Sequence, residues 1–260
     1  MVTLIGSGNV ATWMAQRLQF SEKYRITQVF SRNIDHARTV ARYSQAKAID
    51  NLSDLDRNSD IYILALSDNA YDEFLPSLPF KLPAAFLTSG TVSCQRLKPF
   101  SEQYGVIYPL QTFSKSQDMT DWEVPLCVES AYATAVKDNL WELARTLSGN
   151  CHEVSEEQRS ILHVAAVFAC NFSNAMFSVA HKLLAENNMS FDILLPLLKN
   201  TVNKLQTMSP AEAQTGPAVR GDHNVMEAQM QSLDDDRLKT IYKLMSELIG
   251  EFRIENRNAQ

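Results

Sequence analysis

Val2-Thr3-Leu4-Ile5-Gly6-Ser7-Gly8-Asn9-Val10-Ala11 opens the chain with four residues suited to a strand, a Gly-Ser-Gly turn and the start of a helix expected to run from Asn9 to Phe20. Gly6 permits a tight turn and Gly8 lets backbone approach a ligand with no side chain between. Ala11 is small enough for a helix to lie against a strand. A glycine pattern in this context seats a dinucleotide diphosphate on the free N–H groups and positive dipole end of the helix. Gly6, Ser7, Gly8, Asn9 and Val10 are therefore candidate cofactor-binding residues. A strand-to-helix turn with no ligand is the plainer alternative.

The end of the next strand separates the two nicotinamide cofactors, because a carboxylate there binds the ribose 2′-hydroxyl and repels a 2′-phosphate. The sequence reads Phe30-Ser31-Arg32-Asn33 and offers no carboxylate at that tip. Arg32 can clamp a phosphate through paired charge-assisted bonds and Ser31 can add another, so NADP is expected over NAD. A solvated surface arginine is the competing reading. Leu66-Ser67-Asp68 and Thr88-Ser89-Gly90-Thr91 also fall at carboxyl ends of predicted strands, where open parallel sheets place ligands. Leu66 and Ser67 are read as cofactor-binding and Ser89 as bordering the nicotinamide, although Ser, Asp and Gly are equally the residues that turns prefer.

Outward from this start, short apolar runs alternate with helical segments as far as Val154. The strands are drawn at Val2 to Ile5, Arg25 to Phe30, Ile61 to Leu66, Ala84 to Thr88, Gly105 to Tyr108, Pro125 to Val128 and Cys151 to Val154. Helices are drawn at Ile34 to Tyr43, near Leu52, and at Ala131 to Leu147, with Gly149 as a stop. From Ser155 onward strand signals vanish. Ser155 with Glu156, Glu157 and Gln158 is a capping pattern, and helices are expected at Glu156 to Asn187, Phe191 to Met208, His223 to Leu233 and Asp235 to Phe252, with a frayed Glu255 to Gln260. The class is α/β: an N-terminal Rossmann domain, residues 1–154, with a doubly wound, mostly parallel sheet, then an all-helical domain, residues 155–260.

At 260 residues and 45% hydrophobic content the chain can bury a substantial core. A formal charge of −6 and a pI near 5.4 lack the clustered Lys and Arg that displace counterions, which argues against nucleic acid as a partner. No apolar run approaches the ~20 residues of a membrane span, and a strand beginning at Val2 leaves no room for a signal peptide, so a cytoplasmic protein without membrane association is expected. Cys94, Cys127, Cys151 and Cys170 are too scattered to chelate a metal and read as buried free thiols.

Five further segments appear in order: Thr88-Ser89-Gly90; Tyr108-Pro109-Leu110-Gln111-Thr112-Phe113; Leu126-Cys127-Val128-Glu129; His163 to Asn171; and Thr215 to Asp222. With the glycine turn they resemble the successive motifs of a bacterial family of Rossmann-like proteins with a helical C-terminal domain of unassigned function, labelled NADP oxidoreductases. That family is related to the phosphogluconate dehydrogenase-like, pyrroline-5-carboxylate reductase and deazaflavin-dependent NADP reductase group. The resemblance implies a site in the cleft between the domains. One departure matters: beta-hydroxyacid dehydrogenases carry a catalytic Lys four residues before an Asn on the long helix, and here Val167 precedes Asn171. That acid–base route does not carry over. Tyr108 stands where relatives often have His.

Counted at 100° per residue from His163, the residues Asn171, Asn174, Ser178 and His181 fall within an arc of roughly 80° on an otherwise apolar helix. Such a helix should be buried nearly all round, in a core or a subunit interface, and its polar stripe faces either solvent or the nicotinamide. His163 is the acid–base candidate, since imidazole titrates near neutrality, with Asn171 to orient a carbonyl. A structural histidine is the alternative. Asn174, Arg220 and Asp222 are candidate substrate-binding residues, though Asp222 suits equally the cap of the following helix. The leading expectation is an NADP-dependent oxidoreductase, a homodimer through its helical domain, acting on a small carbonyl, imine or hydroxy compound. The other is a non-catalytic NADP-binding sensor or scaffold.

Overall fold

Val2–Ile5 (β1) and Ile61–Leu64 (β4) are buried at every residue, as happens in a parallel sheet covered on both faces. The computed structural model describes residues 1–114, 123–131 and 135–259. It contains one eight-stranded sheet of order β3-β2-β1-β4-β5-β6-β7-β8. The remaining strands are Ile26–Phe30 (β2), Lys47–Ile49 (β3), Leu82–Leu87 (β5), Ser101–Pro109 (β6), Leu126–Ser130 (β7) and Cys151–Glu153 (β8). Neighbours run parallel except β6 and β7, which pair antiparallel with Tyr108 opposite Cys127. The doubly wound, mostly parallel sheet expected from the sequence is present, and the strand order reverses between the parallel neighbours β1 and β4, which opens a crevice at their carboxyl ends.

Two apolar layers sandwich the sheet. On one face Leu4, Ile63 and Phe86 meet Trp13, Met14 and Leu18 of helix α1 (Asn9–Leu18) and Leu140, Leu143 and Leu147 of a later crossover helix. On the other, Ile5, Tyr62, Leu64 and Val106 meet Tyr71, Leu75 and Leu97. Helix α2 (Ile34–Ala41) starts at Asn33, whose side chain accepts from the amides of Asp35 and His36. A short helix, α3 (Tyr71–Phe74), follows β4. The crossover helix is α4 (Ala135–Leu147); residues 132–134 of the expected Ala131 to Leu147 lie outside the described residues.

Three features differ from the sequence reading. Strand β3 has no counterpart in it, because three residues of which only Ile49 is buried give no alternation to detect. The long helix begins at Ser155 with the expected capping box, but it is not one α-helix. Between α5 (Glu156–Ala166) and α6 (Ser173–Glu186), the six residues Val167–Phe172 wind as a π-helix. A π turn advances less per residue, so the polar stripe counted at 100° from His163 does not hold beyond Val167.

The third difference is exposure. This helix is not buried all round: Ile161 is 71% exposed and Phe168 62%, and Arg159 is the buried residue of α5. Its 31 residues are long and apolar enough, by length and composition, to cross a membrane, which corrects the expectation that no run approaches that length. Asn171, Ser173 and Asn174 interrupt the run but do not lower its average below that of a membrane-spanning segment.

Contacts divide the chain into two compact units, Met1–Ala175 and Met176–Gln260. Helix α5 belongs with the sheet because Arg159 bonds into it, so the unit extends past Ser155, where strands give way to helices. The second unit is all helical: α7 (Leu195–Lys204), α8 (Pro210–Ala213), α9 (Pro217–Arg220), α10 (His223–Gln231) and α11 (Asp236–Ala259). Helix α11 continues through Ala259, past the expected end at Phe252 and into the stretch from Glu255 that was expected to fray; Gln260 lies outside the described residues. The Gly216 to Asp222 segment is one helical turn held between two positive-φ glycines, Gly216 at 118° and Gly221 at 70°.

Candidate functional site

The crevice between β1 and β4 is shaped by two glycines with different reasons to be glycine. Gly6 has φ +120°, and a Cβ there would come 2.1 Å from the carbonyl oxygen of Ala65. Gly8 precedes the first turn of α1, and a Cβ there would meet no atom of the described residues within 4 Å. Internal packing therefore leaves the space above Gly8 open. Helix α1 carries no side-chain cap and no acidic residue in its first turn, so its leading amides face that space with their full positive character. A diphosphate fits this cradle.

A cavity of about 340 Å³ adjoins it and is lined by Gly6, Ser7, Gly8, Ser31, Arg32, Leu66 and Ser67, together with Glu73 and Phe74. Ser7 and Ser31 share a hydrogen bond of 2.8 Å across the strand tips. The structure thus gathers most of the expected cofactor residues. Asn9 and Val10 are placed differently: the Asn9 amide donates to the Phe113 carbonyl at 2.8 Å, and Val10 packs on the core. Trp13, one turn along α1, stacks at a tilt on the Phe113 ring with centroids 5.3 Å apart.

Farther along the same carboxyl edge, the turn after β5 meets Tyr108 of β6 and His163 of α5. The Tyr108 hydroxyl and His163 Nδ1 are 2.9 Å apart. A Cβ on Gly90 would lie 2.7 Å from His163 Nδ1 and 3.0 Å from Tyr108 Cζ, so only glycine allows this approach. Burial raises the Tyr108 pKa, which keeps its hydroxyl protonated. As imidazolium, His163 donates from Nδ1–H to the neutral phenol oxygen and holds Nε2–H as an acid; as the neutral imidazole with its proton on Nδ1, it leaves Nε2 as a base.

Ser89 does not present its hydroxyl. At 5% exposure, its Oγ donates to Asp68 at 2.6 Å and accepts from the amides of Thr91 and Val92 at 3.1 and 2.9 Å. Asp68 and Ser89, both expected to face a ligand, are each other's partners in building the turn. Beneath them lies Arg159, which the sequence reading missed. It is fully buried and donates from Nε and Nη2 to Glu129 at 3.1 and 2.9 Å, and from Nη1 to the Ser89 carbonyl at 3.0 Å. Arg159 and His163 stand four residues apart on one face of α5, so the clamp fixes the helix that carries the imidazole. Glu129 also accepts from the Cys94 thiol, whose pKa is pushed up to about 12, chiefly by burial.

Among the described residues no hydrogen bond joins Asn171 to His163; Asn171 lies exposed in the π segment and Asn174 exposed at the start of α6. Arg220 is exposed at the end of α9, and Asp222 caps α10 by accepting from the Val225 amide at 3.3 Å. No group of His, Cys, Asp and Glu among the described residues has metal-holding geometry. All four cysteines are free, and Cys170 is exposed rather than buried as expected.

A doubly wound sheet, an open glycine turn on a helix N-terminus and a cavity at the switch point define a Rossmann-type dinucleotide-binding protein with a helical C-terminal region. Residues 1–92 match the family described as NADP oxidoreductase coenzyme F420-dependent, and residues 124–249 match the domain of unknown function DUF2520. A Bacteroides fragilis protein described as a "putative NADP oxidoreductase" is 36% identical, with a TM-score of 0.89, over 96% of this chain and 97% of that one. The chain belongs to this NADP oxidoreductase family.

More distant structures share the fold. They include 1-pyrroline-5-carboxylate reductase from Streptococcus pyogenes (15% identity, TM-score 0.65, over 96% of this chain and 98% of that one). A reductive aminase from Aspergillus terreus in complex with NADPH and ethyl-5-oxohexanoate is another (14%, 0.63, over 99% and 91%). No curated protein matches the chain.

Proposed function

We propose that the chain is an NADP-dependent oxidoreductase acting on a small carbonyl, imine or hydroxy compound. The observation that carries this is the Tyr108–His163 contact beside Gly90, on the carboxyl edge that also holds the Gly6-Ser7-Gly8 cradle. NADPH, when bound, supplies the hydride. His163 delivers the proton to the substrate oxygen or nitrogen, Tyr108 sets the imidazole tautomer, and Ser89 contributes by holding the turn that borders the nicotinamide. Arg32 selects the 2′-phosphate. Asn171, Asn174 and Arg220 are assigned to substrate, and the capping role of Asp222 leaves it beside Arg220.

Exposed Phe168 and Phe172 in the first unit, and Leu197 and Leu244 in the second, support a homodimer formed through the helical region, since a monomer would leave these apolar side chains in water. Four unpaired thiols suit the reducing cytoplasm. The family and the reductive aminase, whose complex contains NADPH and a keto ester, support the class of reaction.

Calorimetric titration with NADPH and NADH, followed by a substrate screen read as NADPH oxidation, tests the reading. Arg32→Ala should weaken NADPH by about tenfold or more, and His163→Asn should lower turnover by about 10²–10⁴-fold. Binding of neither nucleotide sinks the proposal. Val167, in place of the lysine of beta-hydroxyacid dehydrogenases, favours a second reading as an NADP-binding sensor. Solution scattering that changes on adding NADPH, with no turnover of any substrate, would favour it.

A further inference from the structure

We infer that Glu73 sets how strongly the nucleotide pocket discriminates between 2′-phosphorylated and 2′-hydroxyl adenosine nucleotides; this rests on the NADP reading of the same pocket. Among the described residues, Arg32 and Glu73 are the only charged residues lining the cavity, one of each sign, and Arg32 Nη1 stands 4.0 Å from Glu73 Oε2. The tip of β2 reads Phe30-Ser31-Arg32-Asn33 and carries no carboxylate. The fold supplies one from the other wall, on α3.

Its placement follows from its neighbours in the chain. Tyr71 is buried and donates to the Leu64 carbonyl at 2.7 Å, and the Phe74 ring packs on Phe30 at 5.8 Å. These two anchors fix the short helix with Glu73 on the side of Arg32. Ser31, the other expected phosphate ligand, already shares a hydrogen bond with Ser7.

A 2′-phosphate drawn to Arg32 therefore arrives within reach of a carboxylate that competes for the guanidinium and repels the doubly charged group. An unphosphorylated ribose gains or loses little from the same carboxylate. The side chains are 81% and 85% exposed, so water screens the repulsion, and its effect is modest and salt-dependent.

The experiment is calorimetry on the full chain with two probes that address the adenosine end alone, adenosine 2′,5′-bisphosphate and adenosine 5′-monophosphate. Glu73→Gln should tighten the bisphosphate about fivefold at ~0.05 M salt and leave the monophosphate within about twofold. The gain should shrink at ~0.5 M salt. A ratio of the two affinities unchanged by Glu73→Gln, or both ligands tightening together, overturns the inference while leaving the pocket assignment standing. Failure of the wild-type chain to bind either probe removes the assignment and the inference with it.

Discussion

Arg159 is surrounded by acceptors it cannot exchange for water: Glu129 takes two of its N–H groups and the Ser89 carbonyl a third. Replacing it with Met leaves the Glu129 carboxylate, itself largely buried, without its cation, and should destabilise the protein by about 3–5 kcal/mol. The double variant Arg159→Met/Glu129→Leu should recover most of that loss in denaturant unfolding. A double variant no more stable than the single one would refute the account.

Cys94 adds a pH effect with a definite sign. Its folded pKa, about 12, lies above the ordinary value of 9.0, so the folded state retains the thiol proton where the unfolded state has released it. The contribution is complete below pH 9 and is lost as pH rises toward 12. The alkaline fall in stability should be shallower in Cys94→Ala. Neither residue was singled out as a partner in the sequence. Glu129 lay in a recognised motif, but Arg159 sits in the polar first turn of a capped helix, where a basic residue reads as solvated.

Capping is the element-scale feature that sequence conveys best. Ser155 and Gln158 satisfy each other's amides as their spacing predicts, at 3.2 and 2.9 Å. Ser155→Ala should lower unfolding free energy by about 1 kcal/mol. Denaturant midpoints with an unchanged slope would measure it, and no loss would mean that the Arg159 clamp alone fixes the start of α5. The π segment was not legible in the same way. Val-Phe-Ala-Cys-Asn-Phe contains no Gly or Pro to announce irregular winding, and periodicity counted across it carries a phase error into every residue that follows. Asn171 lies inside that segment, so a count at 100° per residue does not fix its position relative to His163.

For the whole molecule the sequence recorded how apolar each helix is but not what covers it. A core helix and an interface helix satisfy the same pattern, and only the structure shows Leu197, Val202, Leu244 and Phe252 standing in the open. For the proposed homodimer, light scattering should give about twice 29.3 kDa, and Leu244→Glu should return the mass toward 29.3 kDa by placing a charge on an exposed apolar position of α11. A wild-type mass of one chain would refute the dimer. The Rossmann half, apart from β3 and the short helix α3, was readable to within a few residues because its glycine turn, strand tips and buried strands each announce themselves locally.

The contact of Asn9 and Trp13 with Phe113 gives the molecule an optical property. Asn9 begins the helix whose amides await the diphosphate, and Trp13, an indole sealed from water, rests on the aromatic ring whose carbonyl Asn9 holds. A ligand arriving at the head of α1 should therefore disturb the surroundings of a natural fluorophore, and tryptophan emission from the untouched chain, read against added nucleotide, is the measurement that checks it.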